Sequence, residues 1–471
     1  MNIHLRPYED LLASKHISFQ ARGFKPGRLS SALFDHQRAV TDFALRQGCA
    51  ALFLDTGLGK TLCALEWGRS VVKRTNRPVL MLAPLAVSFQ HAREAEKFGI
   101  DARAIREPEE VAAARIYITN YERLDRFDVS RFGGVILDES SILKSFTGAT
   151  TRALIKAFAG TPYRLACTAT PAPNDHMELG QHSQFLGAMP ANEMLSRWFL
   201  SDQTQMGRYR LKKPAVKAFW DWVASWSRCV SKPSDLGFSD DGFALPELNL
   251  HRHIVQTDWA SNAGAEKDGQ ARLLRMPETS ATSIHREKRM SLQARADAIA
   301  KVIGAEPHEP WVVWCDTDYE ADALLERLPS FVDVRGSVRS EVKEDLLRAF
   351  SIGEAPGIVT KPSIAGFGLN WQHCARMAFI GLSFSYESFY QAVRRCWRFG
   401  QTRPVEVHVA MAETEMAIWN VINRKTGDHD AMKQEMAAAM ARAMRIHRIF
   451  EDYRPVRNVA LPEWLKGQAH A

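Results

Sequence analysis

The stretch Ala50–Thr61, Ala-Ala-Leu-Phe-Leu-Asp-Thr-Gly-Leu-Gly-Lys-Thr, constrains the fold more than any other part of the chain. Its apolar first half suits a buried strand. Asp55 breaks the run and opens a loop with glycines at 57 and 59, and Lys60-Thr61 lead into a helical stretch through Ala64, Leu65 and Trp67. A nucleoside triphosphate calls for this order. Glycines let backbone N–H groups approach phosphate oxygens, the following helix directs its positive end at them, and Lys60 supplies a mobile cation. Thr61 would put its hydroxyl on Mg²⁺. The first glycine of the usual loop pattern falls on Leu54, so a plain glycine-rich strand-to-helix turn is the competing reading.

A second apolar run, Gly134-Val135-Ile136-Leu137, ends in Asp138-Glu139-Ser140-Ser141. A strand that ends in two carboxylates beyond a phosphate loop fits phosphoryl chemistry, where one acid holds the metal and the other polarises the attacking water. Asp138 is assigned to Mg²⁺ and Glu139 to the water.

The chain has 471 residues, too many for one core, so two or three domains are expected. With 46% hydrophobic and 24% charged residues it reads as an ordinary soluble globular protein, and no run of about eighteen apolar residues marks a membrane span. The N-terminus has no signal-peptide apolar region. Seven scattered cysteines never form a C-x-x-C pair, which argues for reduced thiols, against a zinc site, and for the cytoplasm. The net charge of +7 is compatible with a polyanionic partner without requiring one.

Residues 48 to 175 alternate strand and helix, with strands expected at Ala50–Leu54, Val79–Leu82, Ile116–Thr119, Val135–Leu137 and Arg164–Thr168. Such alternation predicts a parallel sheet covered by helices, with ligands at the carboxyl ends of its strands. Thr56–Thr61, Ala83-Pro84, Asn120-Tyr121, Asp138-Glu139 and Ala169-Thr170-Pro171 all sit at such ends. Residues 290 to 425 repeat the theme at Trp311–Cys315, Val332–Val334, Gly357–Thr360 and Met377–Ile380, without a phosphate loop of their own. This half would act on nucleotide by contributing residues across a cleft. In Gln391-Ala-Val-Arg-Arg-Cys-Trp-Arg-Phe-Gly-Gln401, Arg395 and Arg398 stand three apart, a spacing that predicts a shared helix face. Paired guanidiniums there could grip a γ-phosphate, and an arginine so placed is worth about 10³ to 10⁵ in rate. The competing reading is a solvated basic helix.

The set resembles the superfamily-two helicases and translocases, most closely their Swi/Snf-like branch. Leu33-Phe34-Asp35-His36-Gln37 resembles the motif whose glutamine reads adenine, Asp55–Thr61 resembles motif I, and Asp138–Ser141 sits at motif II. Cys167–Pro171 resembles motif III, Ala365–Asn370 resembles motif V, and Gln391–Gln401 resembles the branch's Q-x-x-x-R-x-x-R-x-G-Q motif VI. Trp371–Cys374 and Tyr386–Gln391 are similar to stretches in compact phage and prophage members. The resemblance covers roughly residues 33 to 415. It implies an α/β fold of two RecA-like domains in tandem, with ATP and Mg²⁺ bound between them and nucleic acid as partner. The implied ATP-binding residues are Gln37, Thr56, Gly57, Leu58, Gly59, Lys60, Thr61, Gly368 and Gln391, with Lys60, Asp138, Glu139, Arg395 and Arg398 catalytic. The motif departs from the family at Ser140 and Ser141, which stand where a histidine usually links motif II to motif III.

Domains are expected at 1–245 (with a helical insertion at about 176–245), 291–425 and a helical tail at 426–471, with a basic linker at 246–290. Gly207–Lys232 mixes Arg208, Arg210, Lys212, Lys213, Lys217, Arg228 and Lys232 with Tyr209, Phe219, Trp220, Trp222 and Trp226. The tryptophans read as core and the cations as nucleic-acid contacts. Pro84, Asn120, Thr170, Lys212, Lys213 and Lys361 are the candidate nucleic-acid residues. The leading expectation is an ATPase that translocates on duplex DNA. Single-stranded DNA or RNA as partner, a strand-separating helicase, and a nucleotide-regulated DNA-binding or assembly protein stay open.

Overall fold

A computed structural model describes residues 21–84, 87–145, 148–201, 209–256, 288–365 and 369–445. Arg208, Gly368, most of the basic segment 262–290 and the tail beyond Arg445 lie outside the described residues.

The first sheet contains β1 (Cys49–Leu54), β2 (Val79–Ala83), β3 (Ala102–Ala104), β4 (Ile116–Asn120), β5 (Gly134–Asp138) and β6 (Tyr163–Cys167). β7 (Phe199–Ser201) and β8 (Tyr209–Leu211) form a separate antiparallel pair, and β9 (Ser227–Val230) returns to the first sheet. Its strands are parallel and run β3-β4-β2-β5-β6-β1-β9. The second sheet comprises β10 (Leu248–Val255), β11 (Trp311–Trp314), β12 (Val332–Val334), β13 (Gly357–Thr360), β14 (Arg376–Phe379) and β15 (Val405–Ala412). It too is parallel, in the order β10-β15-β14-β11-β13-β12.

Helices cover both faces of each sheet, so the central strands are mainly apolar on both sides. Cys49, Ala51 and Phe53 of β1 enter one core, while Ala50, Leu52 and Leu54 enter the other. In the second sheet Val312 and Trp314 of β11 face one core and Trp311 and Val313 its opposite. Strands buried on both faces read as continuous hydrophobic runs, which is why these were visible in the sequence. The two lobes are RecA-like domains.

Three elements differ from the sequence expectation. After the helix Val216–Trp226, whose Trp220, Trp222 and Trp226 are buried in the first core, the chain re-enters the first sheet as β9 beside β1. Its sequence, Ser-Arg-Cys-Val, hides the strand, because Arg228 is buried by placing its guanidinium 3.4 Å from the Phe43 ring centroid and donating to the Ala224 carbonyl at 2.7 Å. The segment from 246, expected as a linker, contains β10, which pairs with β15 along its whole length and forms the edge of the second sheet. Its alternating Leu-Asn-Leu-His-Arg-His-Ile-Val carries the period of two that an edge strand shows.

The third difference is the C-terminal helix, Met416–Arg445. It begins ten residues before the expected tail and spans about 45 Å at 1.5 Å per residue. Ile418, Trp419 and Ile422 pack into the core of the second lobe, whereas Met432, Met436 and Ala439 pack into the first. Polar contacts follow the same course. Lys425 Nζ donates to Asn174 at 2.9 Å, and Arg442 pairs with Asp221 at 2.7 Å. One helix therefore ties the two lobes together.

Candidate active site

β1 ends at Leu54, and residues 55–59 form the loop. Gly57 and Gly59 adopt φ of +94° and +80°, which side-chain-bearing residues rarely do. A Cβ on Gly59 would lie 2.2 Å from Gln37 Nε2, and one on Gly57 would lie 2.7 Å from the Phe399 backbone of the second lobe. Leu54 resolves the departure from the usual loop pattern. Its side chain is buried in the core and its carbonyl accepts the Lys60 ammonium at 2.9 Å. Lys60 opens the helix Lys60–Thr75, with Thr61 in its first turn, where unpaired N–H groups favour anions. Burial pushes the Lys60 ammonium below its ordinary pKa, opposed by Glu139, Asp55 and Asp138.

β5 delivers the acids. Asp138 Oδ2 meets His91 Nε2 at 2.7 Å, and Tyr121 donates its hydroxyl to the Asp138 carbonyl at 2.6 Å. Burial opposes ionisation of Asp138, but His91 and Lys60 outweigh it and hold the carboxylate below its usual range. Glu139 takes a left-handed backbone, φ +50°, one of two non-glycine residues with positive φ among the described residues. Such a conformation costs of order 1–3 kcal/mol and persists where surrounding structure enforces it. Burial and the neighbouring Asp138 push its carboxyl up to about 7, against Lys60 and Arg395.

The motif II serines are both buried. Ser140 Oγ lies 3.1 Å from Nε2 of His182, on the helix Leu179–Leu186. Burial pushes His182 down to about 4, so at neutral pH it is uncharged. Thr168 Oγ1 lies 3.5 Å from Glu139 Oε2 and accepts the Thr170 N–H at 3.1 Å. Motif II therefore meets motif III through Glu139 and Thr168, and a histidine approaches it from a later helix.

The second lobe contributes the helix Tyr386–Val393 and the turns after it. Arg395 and Arg398 do not share a helix face, as the sequence spacing suggested, because the helix ends at Val393. Tight turns bring them together instead, and both donate to the Leu369 carbonyl, at 3.0 and 2.9 Å. Burial pushes the Arg395 guanidinium down to about 10, with Glu139 opposing the shift. Burial likewise lowers Arg398, with Glu94 of the first lobe opposing, and its Nε is buried without a partner. Gln391 receives Arg395 Nη2 at 3.1 Å, which makes it a positioning group for the arginine.

Gln37 accepts the Phe34 N–H at 3.0 Å and donates to the Leu58 carbonyl at 3.1 Å, so its carboxamide props the phosphate loop. A cavity of about 370 Å³ opens beside the loop, lined by Thr56, Gly57 and Leu58 with Phe243, Arg394 and Phe399 among others. Phe243 and Phe399 stack there with centroids 4.6 Å apart.

Four site residues gave no usable signal in the sequence. Asp55 accepts from Tyr390 and Arg394 of the second lobe, from Lys433 of the C-terminal helix at 2.9 Å, and from the Thr56 N–H at 2.8 Å. Burial opposes its ionisation, yet Arg394 and Lys433 hold the carboxylate far below its usual range. Lys144 and Glu387 form a further ion pair between the lobes. Arg394 lay inside the motif VI string, one position before the family's arginine. Asp55 read only as the residue that opens the motif I loop, with no partner indicated. His91 and Lys433 sit within ordinary amphipathic helices.

The candidate nucleic-acid residues fare unevenly. Asn120 and Thr170 are buried, and Pro84 is half-buried at the end of β2. Lys212 caps the helix Ala191–Trp198 by donating to the Ser196 and Arg197 carbonyls at 3.1 and 2.9 Å. Lys361 pairs with Asp318 at 3.1 Å. Lys213 is exposed. Of the three candidate lysines, Lys213 is the exposed one, whereas Lys212 and Lys361 have partners within the protein.

Residues 34–179 match the DEAD/DEAH box helicase family, and residues 294–400 match the helicase conserved C-terminal domain. The chain belongs to the superfamily-two helicases. Within them it is similar to the bovine DNA annealing helicase and endonuclease ZRANB3, 22% identical over 87% of this chain and 41% of that protein. It is also similar to the SWI/SNF-related matrix-associated actin-dependent regulator of chromatin subfamily A-like protein 1 of Xenopus tropicalis, 22% identical over 84% of this chain and 44% of that protein. These relatives support the Swi/Snf-like branch, and the chain spans about two fifths of their length. The fold is similar to that of S. cerevisiae Dbp5 bound to RNA and ADP BeF3, with a TM-score of 0.54, 12% identity and coverage of 86% and 93% of the two chains.

Proposed function

We propose that this helicase is a motor that hydrolyses ATP between its lobes to translocate along duplex DNA. The observation that carries the reading is that the segment holding Arg395 and Arg398 lies against the phosphate loop of the other lobe, with Arg394 paired to Asp55 and Phe399 abutting Gly57. Donors on one wall and cations on the opposite wall suit a triphosphate held between them. Lys60 would exchange the Leu54 carbonyl for phosphate oxygens, and the N–H groups of residues 57–61 would receive the same anion.

Asp138 and the Thr61 hydroxyl are the donors that fit Mg²⁺. An ion of this kind is held by one or two protein oxygens together with substrate phosphates and water. Bound there, Mg²⁺ would neutralise phosphate charge. Glu139, pushed up to about 7, is matched to take a proton from water near neutral pH. Arg395 and Arg398 would stabilise charge on the departing phosphoryl group, and thereby couple hydrolysis to the lobe interface. DNA as the partner is supported by the similarity to the DNA annealing helicase, and the duplex is the form of DNA proposed here.

The test is ATPase rate with duplex DNA, single-stranded DNA and RNA at several salt concentrations, alongside triplex displacement. Stimulation by duplex and clearance of the triplex without strand opening are expected. Stimulation by RNA alone, or release of a displaced strand, would overturn the translocase reading.

A further inference from the structure

A second concave site lies on the flank of the first lobe, away from the cleft. It is a groove of about 400 Å³ lined by Phe24, Lys25, Gly27, Arg28, Arg69, Ser70, Lys73 and Arg74. Five of these eight side chains are cationic and none is acidic. Arg69 is held by Glu66, whose carboxylate also receives the Ser30 N–H at 2.9 Å. Lys25, Arg28, Lys73 and Arg74 are exposed and meet no acidic side chain among the described residues.

The walls are ordered. Phe24 donates its N–H to the Leu45 carbonyl at 2.9 Å, and its ring meets Tyr163 edge-on at 5.6 Å. The Arg74 guanidinium lies 5.8 Å from the same ring. Lys73 and Arg74 end the helix that Lys60 begins, so the groove stands about 20 Å from the phosphate loop at 1.5 Å per residue.

Like charges gathered in one groove repel one another, a cost that a polyanion removes. An acidic protein partner would ask for buried apolar anchors as well. The one aromatic ring here is already covered by Arg74 and Tyr163. A phosphodiester backbone asks only for cations and hydroxyl donors, which the groove supplies with Ser70 among them. We propose that this groove binds a nucleic-acid backbone outside the motor cleft, as a second contact on the same or a neighbouring segment. The proposal rests on the reading of the chain as a nucleic-acid motor.

The experiment compares wild type with Lys25→Glu/Arg28→Glu/Lys73→Glu and with the milder Lys25→Gln/Arg28→Gln/Lys73→Gln. Affinity is measured against salt for a long duplex, and ATPase is measured with a short duplex that just suffices for full stimulation. Long-duplex affinity should fall at least about tenfold in the reversal variant. The log–log salt slope should shrink by about 0.9 for each lost phosphate contact, and the glutamine variant should lose less. Short-duplex ATPase should be unchanged. Unaltered long-duplex affinity and slope in both variants would overturn the proposal while leaving the motor reading intact. Loss of polyglutamate binding with duplex binding retained would overturn it in favour of an acidic protein partner. Wild type that hydrolyses ATP without duplex stimulation, yet loses long-duplex binding in the variants, would support the groove and remove the motor reading.

Discussion

Asp55, at the end of the first strand, and Lys433, on the C-terminal helix, lie 378 positions apart in the chain and meet at 2.9 Å. The same carboxylate receives Arg394 from the second lobe, so three structural units converge on one buried anion beside the phosphate loop. Removing the anion while keeping its volume leaves two buried cations without a counter-charge. Asp55→Asn should lower stability by about 3–5 kcal/mol, measured by urea denaturation, because breaking a buried pair on one side strands the other. Lys433→Met should cost less, since Arg394 still neutralises Asp55. A double-mutant cycle between the two should show coupling above about 0.5 kcal/mol.

Glu139→Gln should reduce ATP turnover by about 10²- to 10⁴-fold, the range for loss of a positioned general base. Binding of a fluorescent ATP analogue should persist, because Lys60 and the loop N–H groups remain. Turnover near the wild-type rate would show that another group activates the water.

Arg395→Ala and Arg398→Ala should each depress hydrolysis by about 10³-fold or more while sparing nucleotide affinity. Arg394→Ala should behave differently. Its partner is Asp55, so its main effect should appear in thermal denaturation. Comparing single-turnover hydrolysis with melting temperature across the three variants separates chemistry from assembly.

His182 should make the first lobe sensitive to acid. Burial lowers its pKa from 6.5 to about 4, so the unfolded chain binds its proton first as pH falls. The stabilisation is fully present above pH 6.5 and is lost progressively towards pH 4, amounting at most to about 3 kcal/mol. Urea midpoints at pH 7.5 and 5 should therefore differ more for wild type than for His182→Gln.

The elements that the sequence disclosed share a physical signature. β1, β2, β4, β5 and β6 are buried on both faces, so each carries a run of mainly apolar residues, and the ends of β1 and β5 carry the loop and the two acids. β9 and β10 were hidden because each breaks that pattern. Arg228 is buried by stacking on Phe43, and β10 is an edge strand with the consecutive polar residues His251, Arg252 and His253 at its middle. At the site, Lys60, Asp138 and Glu139 were readable because phosphate and metal chemistry restricts residue type at fixed spacing. Arg395 and Arg398 were readable as a pair, but their common target, the Leu369 carbonyl, depends on turns that helical spacing does not describe. Asp55, Arg394 and Lys433 owe their roles to the meeting of units distant in the chain, which local pattern does not encode.

The helix Met416–Arg445 is seated in the hydrophobic interior of one lobe at its start and of the other near its end. A rigid rod fixed at two points sets the separation of its anchors and leaves swivelling about its own axis as the least hindered motion. The stroke of this enzyme should therefore be a twist of one lobe against the other, with the gap between them changing in pitch more than in width.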